Sequence, residues 1–270
     1  AEPMALRGCV LRYLASPGPH GPAAARNRGW RAARGRIIAF TDDDTLPQPD
    51  WLVAGARAFE QGAEAAWGRI VMPIPGTPTD YERDANHLER AVFVTANCFC
   101  LRASLERLGG FDERFRVAWR EDSDLYFRLI RAGARIVHVP EAVVVHPVRP
   151  APWGISVRQQ RKVQFDALLY KKHPDLYRSR IRARPRWSYY LTVGAAAVAV
   201  AAALAGARGL AAAAAGAWLA ATLAFALRRL RGTSKAPAHV LEMLVTSIPI
   251  PPLAVFWRLY GALKFRVPCL

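Results

Sequence analysis

The apolar and polar positions of the chain follow two regimes, and the change between them divides it. Over roughly the first 150 residues, short apolar runs of strand length alternate with segments of helical composition. Residues 11–15 read as a short strand closed by the turn Ser16-Pro17-Gly18-Pro19-His20-Gly21. Pro22 stands where a first helical residue would, and good helix formers follow over 23–34 before Gly35. Ile37-Ile38-Ala39-Phe40 is a continuous apolar run, as expected of a strand buried on both faces. Helices are expected over 51–61, 104–108 and 121–131, and strands over 65–72, 97–102, 135–139 and 142–146. Such alternation predicts an α/β layered domain.

Beyond Trp187 the pattern changes. Residues 188–207 and 210–227 are Ala-rich apolar runs of the length that crosses a bilayer core. Arg182, Arg184 and Arg186 precede the first run, Arg228, Arg229, Arg231 and Lys235 follow the second, and the link carries only Arg208. That distribution predicts a helical hairpin with both outer ends cytoplasmic. A third apolar stretch, 240–260, contains Glu242 and is interrupted by Pro249, Pro251 and Pro252. Spanning, re-entrant and interfacial placements all remain open for it.

Charge sharpens the membrane expectation. The chain has 38 Lys+Arg against 21 Asp+Glu, a formal charge of +17, so a polyanionic partner is expected. Eleven basic residues lie between Arg149 and Arg186, against Asp166 and Asp175 alone. A basic cluster abutting an apolar span points to anionic membrane lipids and not to nucleic acid. Cys98 and Cys100 lie two apart in an expected strand, share a face and are expected to be free thiols.

Two acidic clusters carry the candidate chemistry. Asp42-Asp43-Asp44 follows the apolar run directly, and adjacent carboxylates at a strand end repel one another unless a cation joins them. An oxygen-preferring divalent ion suits that set, and the carboxyl end of a parallel strand is where open α/β sheets bind ligands. The same residues also read as a solvated turn capping the next helix. Arg120-Glu121-Asp122-Ser123-Asp124 opens a helix, where acidic residues act equally as caps facing the macrodipole. Together, one cluster can hold a metal on a diphosphate and the other can supply a general base.

The run from Gly21 through Arg26-Asn27-Arg28-Gly29, then Gly35 to Asp44, resembles family 2 glycosyltransferases of the GT-A fold. So does Gly109-Gly110-Phe111-Asp112-Glu113-Arg114-Phe115 followed by Glu121-Asp122 and Arg128. The resemblance covers roughly residues 10–150 and implies a Rossmann-like α/β nucleotide-sugar transferase domain with inverting chemistry. It implies that Asp44 and Asp42 hold Mn2+ or Mg2+ on the donor diphosphate, with His146 as a third ligand. Asp42, Asp43, Arg26, Asn27, Asn97, Glu121 and Arg161 would contact the donor, and Asp122 would be the catalytic base. The segment Arg158-Gln159-Gln160-Arg161-Lys162 stands where processive relatives carry Gln-x-x-Arg-Trp, and the missing tryptophan argues against polymer synthesis.

The expected division is therefore a catalytic domain at 1–150, a basic juxtamembrane segment at 151–187 and transmembrane or interfacial helices at 188–270. The family's first nucleotide-binding strand is expected upstream of about residue 10, so the chain reads as truncated at its N-terminus. The implied activity is metal-dependent sugar transfer from a nucleotide-sugar donor to a lipid-linked or cell-envelope glycan acceptor. Its expected place is the cytoplasmic face of the inner membrane, as a multi-pass protein. Alternatives are a haloacid-dehalogenase-like phosphatase, whose Asp-x-Asp-x-Thr or Val pattern Leu46 departs from, and a non-catalytic membrane-docked binding subunit.

Overall fold

The computed structural model describes residues 10–15, 18 and 21–267. Cys9, Cys269 and most of the 16–21 turn lie outside them. The α/β part runs α1 (Pro22–Ala32), β1 (Ile37–Thr41), β2 (Leu46–Pro47), α2 (Trp51–Glu60), β3 (Ala65–Val71) and α3 (Asp80–Ala85). It continues with β4 (Asn97–Leu101), α4 (Arg102–Leu108), α5 (Glu121–Arg131) and β5 (Ile136–Val145). The strands form one sheet in the order β1-β4-β3-β5-β2.

The sheet is mixed, which corrects the expectation of a parallel setting for the acidic strand end. β1 pairs antiparallel with β4, β4 antiparallel with β3, and only β3 and β5 run parallel. Pairing direction is set by the tertiary route of β4, which no local apolar pattern records. The two strands expected over 135–146 are one strand whose register slips opposite Gly68 and Arg69. There the carbonyl of Ala142 and the amide of Asn97 approach Gly68 so closely that a side chain at Gly68 has no room. The strand expected at 11–15 does not form: Leu11 and Tyr13 are exposed and pair with no strand among the described residues.

Two apolar clusters sandwich the sheet. Trp30, Phe40, Phe111, Leu125 and Leu129 pack on one face, and Trp51, Phe59, Phe99 and Val144 on the other. Cys98 and Cys100 are buried free thiols in β4, and burial pushes the Cys98 thiol up.

The second half is helical: α6 (Ile155–Arg158), α7 (Gln164–Lys172), α8 (Pro174–Arg180), α9 (Trp187–Leu204), α10 (Arg208–Leu230), α11 (Pro237–Ser247) and α12 (Ile250–Phe265). A single 3-10 turn, Gln159–Val163, joins α6 to α7. α9 and α10 are each long and apolar enough to cross a membrane, and they pack together as a hairpin. α11 and α12 meet at a 46° bend across the prolines. α12 packs on α7, where Gly261 lets the backbone of Gln164 approach to a distance no side chain tolerates. Glu242 of α11 accepts a hydrogen bond from the backbone N–H of Gly154 at 2.8 Å. The backbone N–H of Asp80 in α3 also reaches His239 Nε2 of α11 at 3.4 Å, which joins the third apolar stretch to the α/β domain.

Buried Arg229 completes this junction. Its guanidinium reaches Asp80 of α3 at 2.9 Å, Thr246 Oγ1 at 2.6 Å and Ser156 Oγ at 3.0 Å. An arginine with so many fixed acceptors compensates its own desolvation.

Candidate active site

Local chain geometry separates the three adjacent aspartates. The N–H and the hydroxyl of Thr45 both donate to the carbonyl of Asp42, at 3.3 and 2.7 Å, closing a tight turn. Asp42 and Asp44 then face a cleft of about 830 Å³, whereas the Asp43 side chain is 92 % exposed. Carboxylate oxygens of Asp42 and Asp44 and a ring nitrogen of His146 lie within 4.8 Å of one another. His146 Nε2 is 3.7 Å from Asp44 Oδ1, while Arg149 Nε holds Asp44 Oδ2 at 2.7 Å. Two carboxylates and an imidazole at that spacing form a candidate metal site, suited in donor type to a divalent cation.

Arg26 ties this cluster to the other acidic cluster. Its two terminal nitrogens bond Asp42 and Glu121, each at 2.8 Å. The Glu121 side chain is buried, and its Oε2 has no hydrogen-bond partner among the described residues. Burial first, then the neighbouring Asp122 charge, push its carboxyl up to about 7 against the opposing pull of Arg26.

Asp122 lines the same cleft. Its Oδ1 accepts from the Ser123 N–H at 2.5 Å and the Ser123 hydroxyl at 3.2 Å. Its Oδ2 meets no protein donor among the described residues. Burial raises the Asp122 carboxyl above the ordinary range, with the Ser123 hydrogen bond and the Arg120 charge opposing. The helix that presents it starts from a strained residue: Arg120 has φ of 77°, a left-handed conformation unusual outside glycine. Asp166 holds Arg120 there at 2.7 Å. Asp124, one turn in, is fully buried between Arg128, Lys172 and His173, so the start of α5 is anchored on α7 and α8.

Four of the expected donor contacts lie away from the cleft: exposed Asp43, and Asn27, Asn97 and Arg161. Asn27 is buried, donates to the Phe111 carbonyl and Glu113 at 2.8 Å each, and accepts from Trp30 Nε1 at 2.9 Å and Phe111 N–H at 2.8 Å. It clamps α1 to the loop after Gly110, and its amide is fully used. Asn97 is likewise buried, bridging the carbonyls of Arg69 and Ala142 and accepting from Trp51 Nε1 at 2.8 Å. Its predecessors Thr95 and Ala96 line the cleft instead. Arg161 is exposed and rests over Trp257 of α12 at 5.8 Å. Arg149 was not foreseen, because a lone arginine in a coil segment carries no pattern.

Residues 2–118 match the family model described as glycosyl transferase family 2. The chain carries a glycosyltransferase family 2 domain. The match favours this family over the phosphatase alternative. A pre-mycofactocin glycosyltransferase of Mycobacterium tuberculosis is 32 % identical over 183 residues, which are 62 % of this chain and 38 % of that protein. Glycosyltransferase AglE of Haloferax volcanii is 26 % identical over 167 residues, 57 % of this chain and 52 % of AglE. The chain thus spans between about a third and a half of the relatives it matches. Among solved structures, the mannosyltransferase PcManGT of Pyrobaculum calidifontis with GDP-Man and Mn2+ aligns at TM-score 0.44 and 19 % identity, over 93 % of this chain and 68 % of that one. GalNAc-T7 with UDP, GalNAc and Mn2+ aligns at TM-score 0.40 and 15 % identity, over 62 % and 38 %.

Proposed function

We propose that this family 2 protein transfers a sugar from a nucleotide-sugar donor to a membrane-held acceptor with inversion at the anomeric carbon. The observation that carries this reading is the convergence of Asp42, Asp44, His146 and Asp122 on one cleft. Asp42, Asp44 and His146 would hold Mn2+ or Mg2+, which supplies charge neutralisation for a departing diphosphate. Arg26 keeps Asp42 oriented and links it to the helix that presents Asp122.

Inversion needs one in-line attack and therefore one base. Asp122 is suited to it: Ser123 fixes Oδ1, and Oδ2 stays open for the acceptor hydroxyl proton. As the hydroxyl oxygen bonds the anomeric carbon, its proton passes to Asp122 and the bond to the diphosphate breaks. No protein nucleophile takes part.

The acceptor is proposed to be lipid-linked or a cell-envelope glycan, reached at the cytoplasmic face of the inner membrane. Support comes from the α9–α10 hairpin and from α3, a wall of the cleft, which Arg229 of α10 fastens through Asp80. Residues 1–150 would form the catalytic domain, 151–187 a basic segment on anionic lipids, and 188–270 the membrane part. The test is transfer from radiolabelled nucleotide sugars into membrane extracts, with and without chelator. Transfer that survives complete metal removal would refute the metal role, and absence of any transfer or donor hydrolysis by the native protein would refute the enzyme.

A further inference from the structure

Lys162 lines the same cleft as Asp122, and its ammonium lies 4.2 Å from the ring centroid of Trp119. Among the described residues this ring is its partner; no carboxylate reaches ion-pair distance and no acceptor hydrogen-bonds it. Asp166, the nearest candidate on α7, is already engaged by Trp119 Nε1 at 3.0 Å, by Arg120 at 2.7 Å and by Arg258 at 3.9 Å. Burial lowers the Lys162 pKa, with Asp84 and Asp166 opposing only through space. A partly desolvated cation with no carboxylate in contact is poorly compensated until an anion joins it.

Its position says where that anion belongs. Trp119 directly precedes Arg120, Glu121 and Asp122, and the bond to Asp166 fixes its indole. The ammonium therefore sits where α5 begins, on the side of the proposed base. The carboxylates of the candidate metal site are served by different cations, Arg26 and Arg149. Gln159, from the same 3-10 turn as Lys162, also borders the cleft and offers an uncharged donor.

We propose that Lys162, seated on Trp119, binds a phosphate-class anionic group carried by the acceptor, beside the hydroxyl that Asp122 deprotonates. This rests on the transferase reading and narrows its acceptor to an anionic one.

The test uses the whole chain in neutral detergent and two probes, octyl phosphate for the acceptor anion and a nucleoside diphosphate with Mn2+ for the donor. Lys162→Met is expected to weaken octyl phosphate binding by about tenfold or more, the scale of one charge-assisted hydrogen bond. Nucleoside diphosphate affinity should stay within about twofold, and Lys162→Arg should keep most of the octyl phosphate affinity. The thermal midpoint of Lys162→Met should hold or rise, because an uncompensated charge has been removed. Lys162→Gln serves the same comparison if the methionine variant does not fold. Unchanged octyl phosphate affinity overturns the proposal, and so does a parallel loss of nucleoside diphosphate, which would assign the cation to the donor. Equal weakening of neutral octyl glucoside would also overturn it, since charge would then not be what is read. A wild-type chain that binds no nucleoside diphosphate defeats the transferase reading separately, while the octyl phosphate titration still reports on Lys162.

Discussion

Arg26 and Glu121 form an ion pair at 2.8 Å between the first helix of the α/β domain and the helix that presents Asp122. Both side chains are largely removed from solvent, and the same guanidinium holds Asp42. Removing one partner of such a pair leaves the other charge uncompensated, at a cost of about 3–5 kcal/mol. Above about pH 7, where Glu121 is ionised, Arg26→Met should therefore lower the unfolding free energy by up to that order, read from denaturant titration, and by less at lower pH, where Glu121 carries a proton. Adding Glu121→Gln to it should restore part of the loss.

The pH dependence of the same pair has a definite sign. Glu121 is pushed up to about 7 from an ordinary 4.5, so the folded state holds its proton in a range where the unfolded chain has released it. Its contribution to stability is full below about 4.5 and is lost as pH rises through about 7. The stability difference between wild type and Glu121→Gln should change across that window, measured as unfolding free energy at pH 5 and pH 8. A difference independent of pH would show that the carboxyl does not titrate there.

The aspartates of the turn should separate in their effects. Asp44→Ala removes a proposed ligand and should cost about a hundredfold in transfer rate, together with a measurable loss of Mn2+ affinity. Asp43 is exposed and among the described residues pairs with Arg149 alone, at 3.1 Å, so Asp43→Ala should cost far less. Equal losses would mean that the turn acts as a unit and that Asp44 has no special role.

This contrast also shows what the sequence could disclose. The aspartates were legible because an apolar run ending in three acids is unusual on physical grounds, and the α5 start because its apolar face is regular. Asn27 and Asn97 were not: an asparagine offers the same donors and acceptor to a sugar or to a backbone. Only the packed structure shows that Phe111 and Trp30, or Ala142 and Trp51, have consumed them. The same holds for Arg149 and Lys162, whose relation to the cleft arises from the fold of the 146–163 segment. Neighbouring Gly110, at φ 72°, takes a backbone conformation that favours glycine and leaves no room for a side chain against Asn27. Asn27→Ala should thus cost about 1–3 kcal/mol of stability, the penalty for stranding buried polar groups, with donor affinity intact once the protein is folded.

Topology follows from the arginines that flank α9 and α10. Arg182, Arg184 and Arg186 precede the hairpin and Arg228, Arg229 and Arg231 end it, with Arg208 alone in the link. A cysteine at Gly209 should react with an impermeant reagent in intact cells, and one at Ser179 should not. The converse pattern would overturn the orientation.

Asp122 offers the sharpest separation between catalysis and a first-turn helix charge. As no more than an acidic residue of the first turn, behind Arg120 at the N-cap, Asp122 should tolerate Asn at a cost of about 1 kcal/mol or less of stability and no loss of rate. As the base it should be intolerant, since the amide keeps the shape and the Ser123 contact but accepts no proton at neutral pH. The expected loss is about a hundredfold to ten-thousandfold in transfer rate. Donor affinity should survive, because the proposed metal and diphosphate side of the cleft is the separate set Asp42, Asp44 and His146. The wild-type rate should also fall as pH drops through the raised pKa of Asp122, which burial sets above the ordinary carboxylate range. The base must be deprotonated to act, so the fall should begin at a higher pH than an unperturbed aspartate would give. Transfer rate, thermal midpoint and nucleotide affinity on the same Asp122→Asn protein decide the matter. Near-normal transfer would leave Asp122 only a first-turn charge facing the helix dipole, and joint collapse of fold and donor binding would make it structural. A folded, donor-binding variant without transfer is the outcome that the free Oδ2 of Asp122 predicts.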